Sequence, residues 1–432
     1  MSPTFASLSI RNYRVYAAGA LVSNVGTWMG RVAQDWLVLT QLTSGDSTAL
    51  GIVTGLQFLP MVLLAPIAGA VTDRFAKRRV LMMTQTALAV TSALLAVLVL
   101  SNVVQLWHVY ALALMQGVAT AFDNPTRQAF VSEMVPKERL ANAVGLNSAS
   151  FNGARLIGPG VAGLLIAAVG TGWTLVVNTA SFVAVLVALA MLQASGLKPS
   201  APSTGRGRVR AGIAYVRHRP DIMLIMFMVF MLGTFGMNFQ LTIALMTTSQ
   251  FKLGATAYGA LGSIMAVGSL AAALLSARRP RPRLRILLIA LSGFSVASAA
   301  AALAPTFWLF GLFLIPTGLC ALTVLTTANA TVQLAVAPEM RGRVMALYMA
   351  IFLGGTPIGA PIIGWIGSAW GPRWTILVGS IATAVTVALS MAYLMRGERL
   401  NLRIERQPLP HLPHVQVNSR QAAREVIPER IG

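Results

Sequence analysis

Five charged side chains lie inside long apolar stretches of this chain: Arg31, Asp35, Asp123, Arg127 and Arg155. A charge in hydrocarbon costs at least a few kcal/mol, so such groups usually face a cavity and carry a partner. Arg31 and Asp35 are four residues apart and share a helical face with Asn24, Thr27 and Gln34. Two chemistries fit that stripe. Asp35 can take up and release a proton while Arg31 tunes its affinity for it. Alternatively, the two charges only neutralise each other so that a polar helix can insert. Asp123 and Arg127 repeat the spacing with Pro125 between them, where bracing a helix end competes with a cavity role. Arg155 has no acid within four positions, so its partner is on another helix or is a substrate anion. Gln34, Asn152 and Asn238 are neutral candidates for the same cavity. Asn238 shares a face with Thr234 and Thr242, where hydrogen bonding between packed helices is the rival reading.

Other patterns fall away. Gly158-Pro159-Gly160-Val161-Ala162-Gly163 matches a dinucleotide fingerprint, but it sits inside an apolar helix with no strand before it and no acid within about 20 residues after it. His411 and His414 offer only two metal ligands, and Cys320 is the single cysteine. No phosphate-binding loop occurs, so the chain is not expected to be an ATP motor or an enzyme, and no cofactor or metal is expected.

The elements that position these residues follow from composition. Of 432 residues 56% are apolar and only 10% charged, yet the net charge is +21. A membrane helix needs about 20 apolar residues, and twelve need about 240. Apolar runs fall at 13–40, 48–72, 79–101, 105–128, 140–169, 173–193, 220–248, 255–277, 284–303, 306–332, 342–369 and 374–395. The expected fold is all-α and integral to the membrane, with twelve transmembrane helices in two pseudo-symmetric six-helix bundles. The first bundle takes residues 1–193 and the second 220–395. Between them lies a basic linker, 194–219, in which Val209, Ile213 and Val216 are spaced for a short surface helix. A polar tail, 396–432, is expected to be disordered.

Basic residues fall in alternate loops, and the opposite loops hold only Lys252 and Arg373. By the positive-inside rule both termini face the cytoplasm of a plasma (bacterial inner) membrane. The excess charge is then an orientation code that also attracts lipid, not a nucleic-acid footprint. The halves match at an offset near 201: Gly158, Gly163, Gly170, Trp173 and Thr174 against Gly359, Gly364, Gly371, Trp374 and Thr375. Such a duplication places a substrate site where the halves meet, near the midplane. Gly158, Pro159 and Gly163, with Gly355, Pro357 and Gly359, read as a bend at that meeting or as ordinary tight packing.

The loop Gly69-Ala-Val-Thr-Asp73-Arg74-Phe-Ala-Lys77-Arg78-Arg79 resembles the G-x-x-x-D-R-x-G-R-R signature of the major facilitator superfamily, with Ala76 at its last glycine. Arg11-Asn-Tyr-Arg14, Gln34-Asp35-Trp36, Gln57-Phe-Leu-Pro60, Asp123-Asn-Pro125 and Asn152-Gly-Ala-Arg155 resemble the drug:proton antiporter branch of macrolide, multidrug and siderophore exporters. The resemblance implies alternating access, a gating role for Gly69, Asp73, Arg74, Lys77, Arg78 and Arg79, and export of a small organic compound against protons by a monomer. Topogenic charge is the competing account of the basic residues. Ala113 stands where other branches carry an arginine, so their relay does not carry over. A facilitator or lipid-type flippase without proton coupling, and a membrane scaffold or sensor, are the alternatives.

Overall fold

A backbone in hydrocarbon has no water to bond, so each segment must satisfy its own N–H and C=O groups. The computed structural model describes residues 3–197, 208–277 and 283–397, and all its regular elements are helical. They are α1 (Arg11–Trp36), α2 (Ser47–Leu63), α3 (Ala65–Arg74), α4 (Lys77–Leu100), α5 (Leu106–Met134), α6 (Lys137–Ala190), α7 (Arg208–Arg217), α8 (Pro220–Met231), α9 (Phe239–Leu245), α10 (Ala255–Ala277), α11 (Leu284–Leu303), α12 (Phe307–Ala335), α13 (Pro338–Trp370) and α14 (Pro372–Gly397). Wider π turns continue α1 through Leu37–Leu42 and follow α8 and α9.

Among the described residues eight helices are long and apolar enough to cross a membrane, and α2 with α3 makes a ninth, bent by 56°. Pro66, near the start of α3, cannot donate to the turn before it, which accounts for the bend. α6 has 54 residues, or about 80 Å at ~1.5 Å per residue, far more than one crossing needs. It is two spans joined at Gly170, the one residue in it with non-helical angles (φ 85°, ψ 170°). Gly371 turns the chain from α13 into α14 with nearly the same angles, φ 94° and ψ 168°. A side chain is strongly disfavoured there, so the sequence repeat reappears as backbone geometry. α1 and α5, of 26 and 29 residues, fall outside the apolar group and carry Arg31, Asp35, Asp123 and Arg127.

Large apolar side chains such as Met83, Val296 and Trp308 are exposed, as lipid-facing residues are. Inside each half the helices pack as a bundle, and α2 against α13 and α6 against α10 join the halves. α7 confirms the helix expected in the linker. Its packed side is Gly212 and Val216, which meet α13, while Ile213 stays exposed. The linker prolines (Pro199, Pro202), the arginines from Arg278 to Arg281 and the tail from 398 lie outside the described residues.

Candidate functional site

The halves hold each other at the end away from the arginine-rich loops. There the Ser47 hydroxyl donates to the Gly364 carbonyl (2.7 Å), and Ser368 donates to Asp46 (3.1 Å). Ser263 of α10 donates to the Leu156 carbonyl of α6 at 2.7 Å. A cavity of about 720 Å³ lies on the other side of this closure, lined by α1, α2, α4, α5 and α6. Its lining continues along α5 to Gln128 and Val131 and back along α6 to Val144, towards the arginine-rich end. All of its lining comes from the first half, not from both halves as the duplication suggested, and Asn24, Gln57, Gln116 and Asn152 are among its polar groups.

Trp28 stands in the cavity wall. The Arg31 guanidinium carbon lies 5.1 Å from its ring centroid and 5.6 Å from that of Phe58. Arg155 reaches the same indole from α6, at 5.5 Å. Neither arginine belongs to an ion pair among the described residues. Arg155 thus finds a partner on another helix, an aromatic face rather than an acid, and cation–π attraction holds both arginines to the indole; Arg31 lines the cavity and Arg155 lies outside its lining. Gly158 makes this possible, because a Cβ there would sit 2.6 Å from the Trp28 Cβ. Gly158→Ala is expected to part α1 from α6 and lower the apparent melting temperature in detergent by several degrees, an overpacking cost of about 1–3 kcal/mol. Gly69→Ala, with nothing within 4 Å of its added carbon, serves as the unchanged control.

Asp35 does not pair with Arg31. Its Oδ2 accepts a hydrogen bond from the Tyr258 hydroxyl of α10 at 2.8 Å, across the seam between halves. Tyr258 also donates to the Gln240 carbonyl at 3.3 Å. Asp35 is 5% exposed and Tyr258 3%, so this bond lies behind the closed end of the cavity. Tyr258 was not legible as a site residue, since a lone tyrosine in an apolar helix has no motif around it.

Asp123 and Arg127 do pair, at 2.5 Å, in the cavity wall. The other Asp123 oxygen accepts from Thr84 and Gln85 of α4, each at 2.7 Å, so the pair ties α5 to α4 as well as bracing its own helix. Gln34 and Asn152 line the cavity. Asn238 does not. It is buried at the break before α9, where its amide donates to the Thr234 carbonyl at 2.7 Å.

The loop residues separate into two groups. Gly69 borders open space, and Asp73, Arg74 and Arg79 are exposed at the arginine-rich end. Lys77 instead turns inward to Glu133 of α5 at 2.7 Å, and Arg78 donates to the Ala190 carbonyl, so both are held within the first half. The helix glycines divide likewise. Gly163 lies against Ala255 and Thr256 across the seam, and Pro361 faces α2 there. Gly355 and Gly359 pack on Thr234 inside the second half. α6 departs from helical angles only at Gly170, so Pro159 does not break it.

A family model described as a transmembrane secretion effector of the major facilitator type (MFS) matches residues 2–425. The chain belongs to the major facilitator superfamily. Among MFS relatives, the staphyloferrin A transporter of Staphylococcus aureus is 32% identical over 167 residues, 38% of this chain and 42% of that one. The multidrug efflux pump Tap of Mycobacterium tuberculosis is 26% identical over 389 residues, 85% of this chain and 89% of the relative. Macrolide efflux protein A of Streptococcus pyogenes is 23% identical over 82% of this chain and 89% of its own. This chain therefore spans less than half the length of the Staphylococcus relative and most of the other two.

Solved MFS structures share the fold. A bacterial homologue of the lysosomal transporter Spinster matches with TM-score 0.67 and 14% identity, covering 92% of this chain and 98% of that one. A D-xylose–proton symporter matches with TM-score 0.69 and 12% identity, covering 88% and 96%. The chain is a multi-pass protein of the cell membrane in a family of transporters.

Proposed function

We propose that this protein is a secondary transporter that exports a small organic compound in exchange for protons, by alternating access. The reading rests on one observation: a cavity directed to the arginine-rich end, closed at the other by hydrogen bonds between the halves, with Asp35 among them. With both termini cytoplasmic, the cavity takes substrate from inside the cell. Residues 1–193 and 220–395 act as the two rocking units, joined by the linker 194–219.

The chemistry follows from the carboxylate. Ionised Asp35 accepts the Tyr258 proton and holds α1 to α10. Substrate bound from the inside breaks this hold, the outer closure opens, and the arginine-rich ends come together around Gly69. In the open state Asp35 takes a proton from outside; the protonated carrier closes again, the proton leaves to the inward cavity, and the ionised carboxylate re-forms the Tyr258 bond, so one proton enters as the compound leaves. Gly69 and Asp73 act there as the gate. The named relatives are a staphyloferrin A transporter, a multidrug efflux pump and a macrolide efflux protein, which agrees with export of a small organic compound.

The test is flux in proteoliposomes under an imposed pH gradient, screened with dyes, macrolides and small acids. A compound that moves with the gradient and stops when a protonophore dissipates it is the expected result. Counterflow indifferent to the gradient would make the protein a facilitator instead.

A further inference from the structure

We propose that the closed end of the cavity is an anion site, so the exported compound is an organic anion whose carboxylate-type group docks at Arg31 and Gln34, beside the Trp28 indole that Arg155 shares. The proposal rests on the transport reading and names its substrate class.

The groups gathered at this end are donors. Arg31 and Arg155 both lie over Trp28, at 5.1 and 5.5 Å, and neither is in an ion pair among the described residues. One turn beyond Arg31, Gln34 lines the cavity, and its buried amide nitrogen has no hydrogen-bond partner among the described residues. The two acids within reach are committed elsewhere. Asp35 accepts from Tyr258, and Asp123 is shared by Arg127, Thr84 and Gln85.

Two guanidiniums outside any ion pair and an orphaned amide donor are matched by oxygen acceptors carrying negative charge. Planar guanidiniums suit a carboxylate or a deprotonated catechol, because each presents two oxygens to a fork of N–H donors. A lipophilic cation would meet a field of its own sign and no acid that is not already hydrogen-bonded. The rest of the ligand has a place too. Phe151, half exposed, and Val144 continue the wall towards the open end, so the anion carries an apolar or aromatic body.

The full-length protein in detergent is titrated with three probes of one shape and different charge: 2-naphthoate, 2-naphthamide and 2-naphthyl-trimethylammonium. Naphthoate is expected to bind at least tenfold more tightly than the other two. Arg31→Gln and Arg155→Gln are each expected to weaken naphthoate at least tenfold and to leave the amide unchanged. Arg31→Lys and Arg155→Lys retain part of the affinity, and Gln34→Ala loses several-fold. Because a glutamine variant can fail to fold, the lysine variants and Gln34→Ala carry the test on their own. Equal binding of the three probes, a preference for the cation, no binding of naphthoate, or insensitivity to these substitutions overturns the proposal. Gradient-driven flux of the cation or the amide would leave the transport reading standing while removing the anion class. Tight naphthoate binding without gradient-driven flux of any compound would do the reverse.

Discussion

Asp35→Asn is expected to cut gradient-driven flux at least tenfold while leaving the protein folded and able to exchange substrate. Asparagine keeps the shape of aspartate and can still accept from Tyr258, but it cannot carry a proton. The coupling is therefore lost before the packing is. Tyr258→Phe tests the other side of the bond. It removes a hydrogen bond to a charged group, worth about 1.5–3 kcal/mol, from one state of the transporter only. A loss of that size moves a two-state equilibrium by about a factor of ten or more. Reactivity of an engineered cysteine beside Ser47, at the closed end, measures that shift, and it should rise in Tyr258→Phe. Because both residues act through one bond, the double variant should be no worse in flux than Asp35→Asn alone. Full coupling in Asp35→Asn would remove Asp35 from the mechanism and leave the Tyr258 bond as packing.

Lys77→Met is the change with the largest expected cost in stability. Lys77 and Glu133 are both more than nine-tenths buried and meet at 2.7 Å. Removing one partner strands a charge, which typically costs 3–5 kcal/mol, whereas replacing both by apolar groups is often near neutral. The apparent melting temperature of Lys77→Met should fall steeply, that of Glu133→Leu likewise, and the double variant should recover most of the loss. Flux per folded molecule should stay near that of the parent, since the pair lies within one half. If Lys77→Met instead melts normally and alters flux, Lys77 belongs with Gly69 and Asp73 in the gate.

The fold was legible to a high degree for a physical reason. A bilayer has a fixed thickness and offers the backbone no partners, so span length and position are written locally as runs of apolar residues. The expected spans and the observed helices agree within a few residues over most of the chain. The main discrepancy is α5, which runs on to Met134. That extra length brings Glu133 to Lys77, a contact the shorter span hid. The offset repeat was also local information, carried by Gly170 and Gly371, whose positive φ angles follow from what glycine alone tolerates.

The site was less legible, because helical spacing tells which side chains are neighbours and not which of them bond. The i,i+4 rule placed Asp123 beside Arg127 and Asp35 beside Arg31 equally well, and only the first pair formed. Long side chains choose among partners that other helices supply. Asp35 met a tyrosine 223 positions along the chain, and Arg31 and Arg155 met one indole from two different helices. Asn238, polar and suitably spaced, was taken up by its own helix break and left the cavity. The sequence by itself determined that the chain crosses the membrane repeatedly, which loops share a side, that it is duplicated, and which few charges need explanation. Only the tertiary structure decided how those charges are partnered and which end of the cavity is closed, because both depend on contacts between segments that share no local pattern.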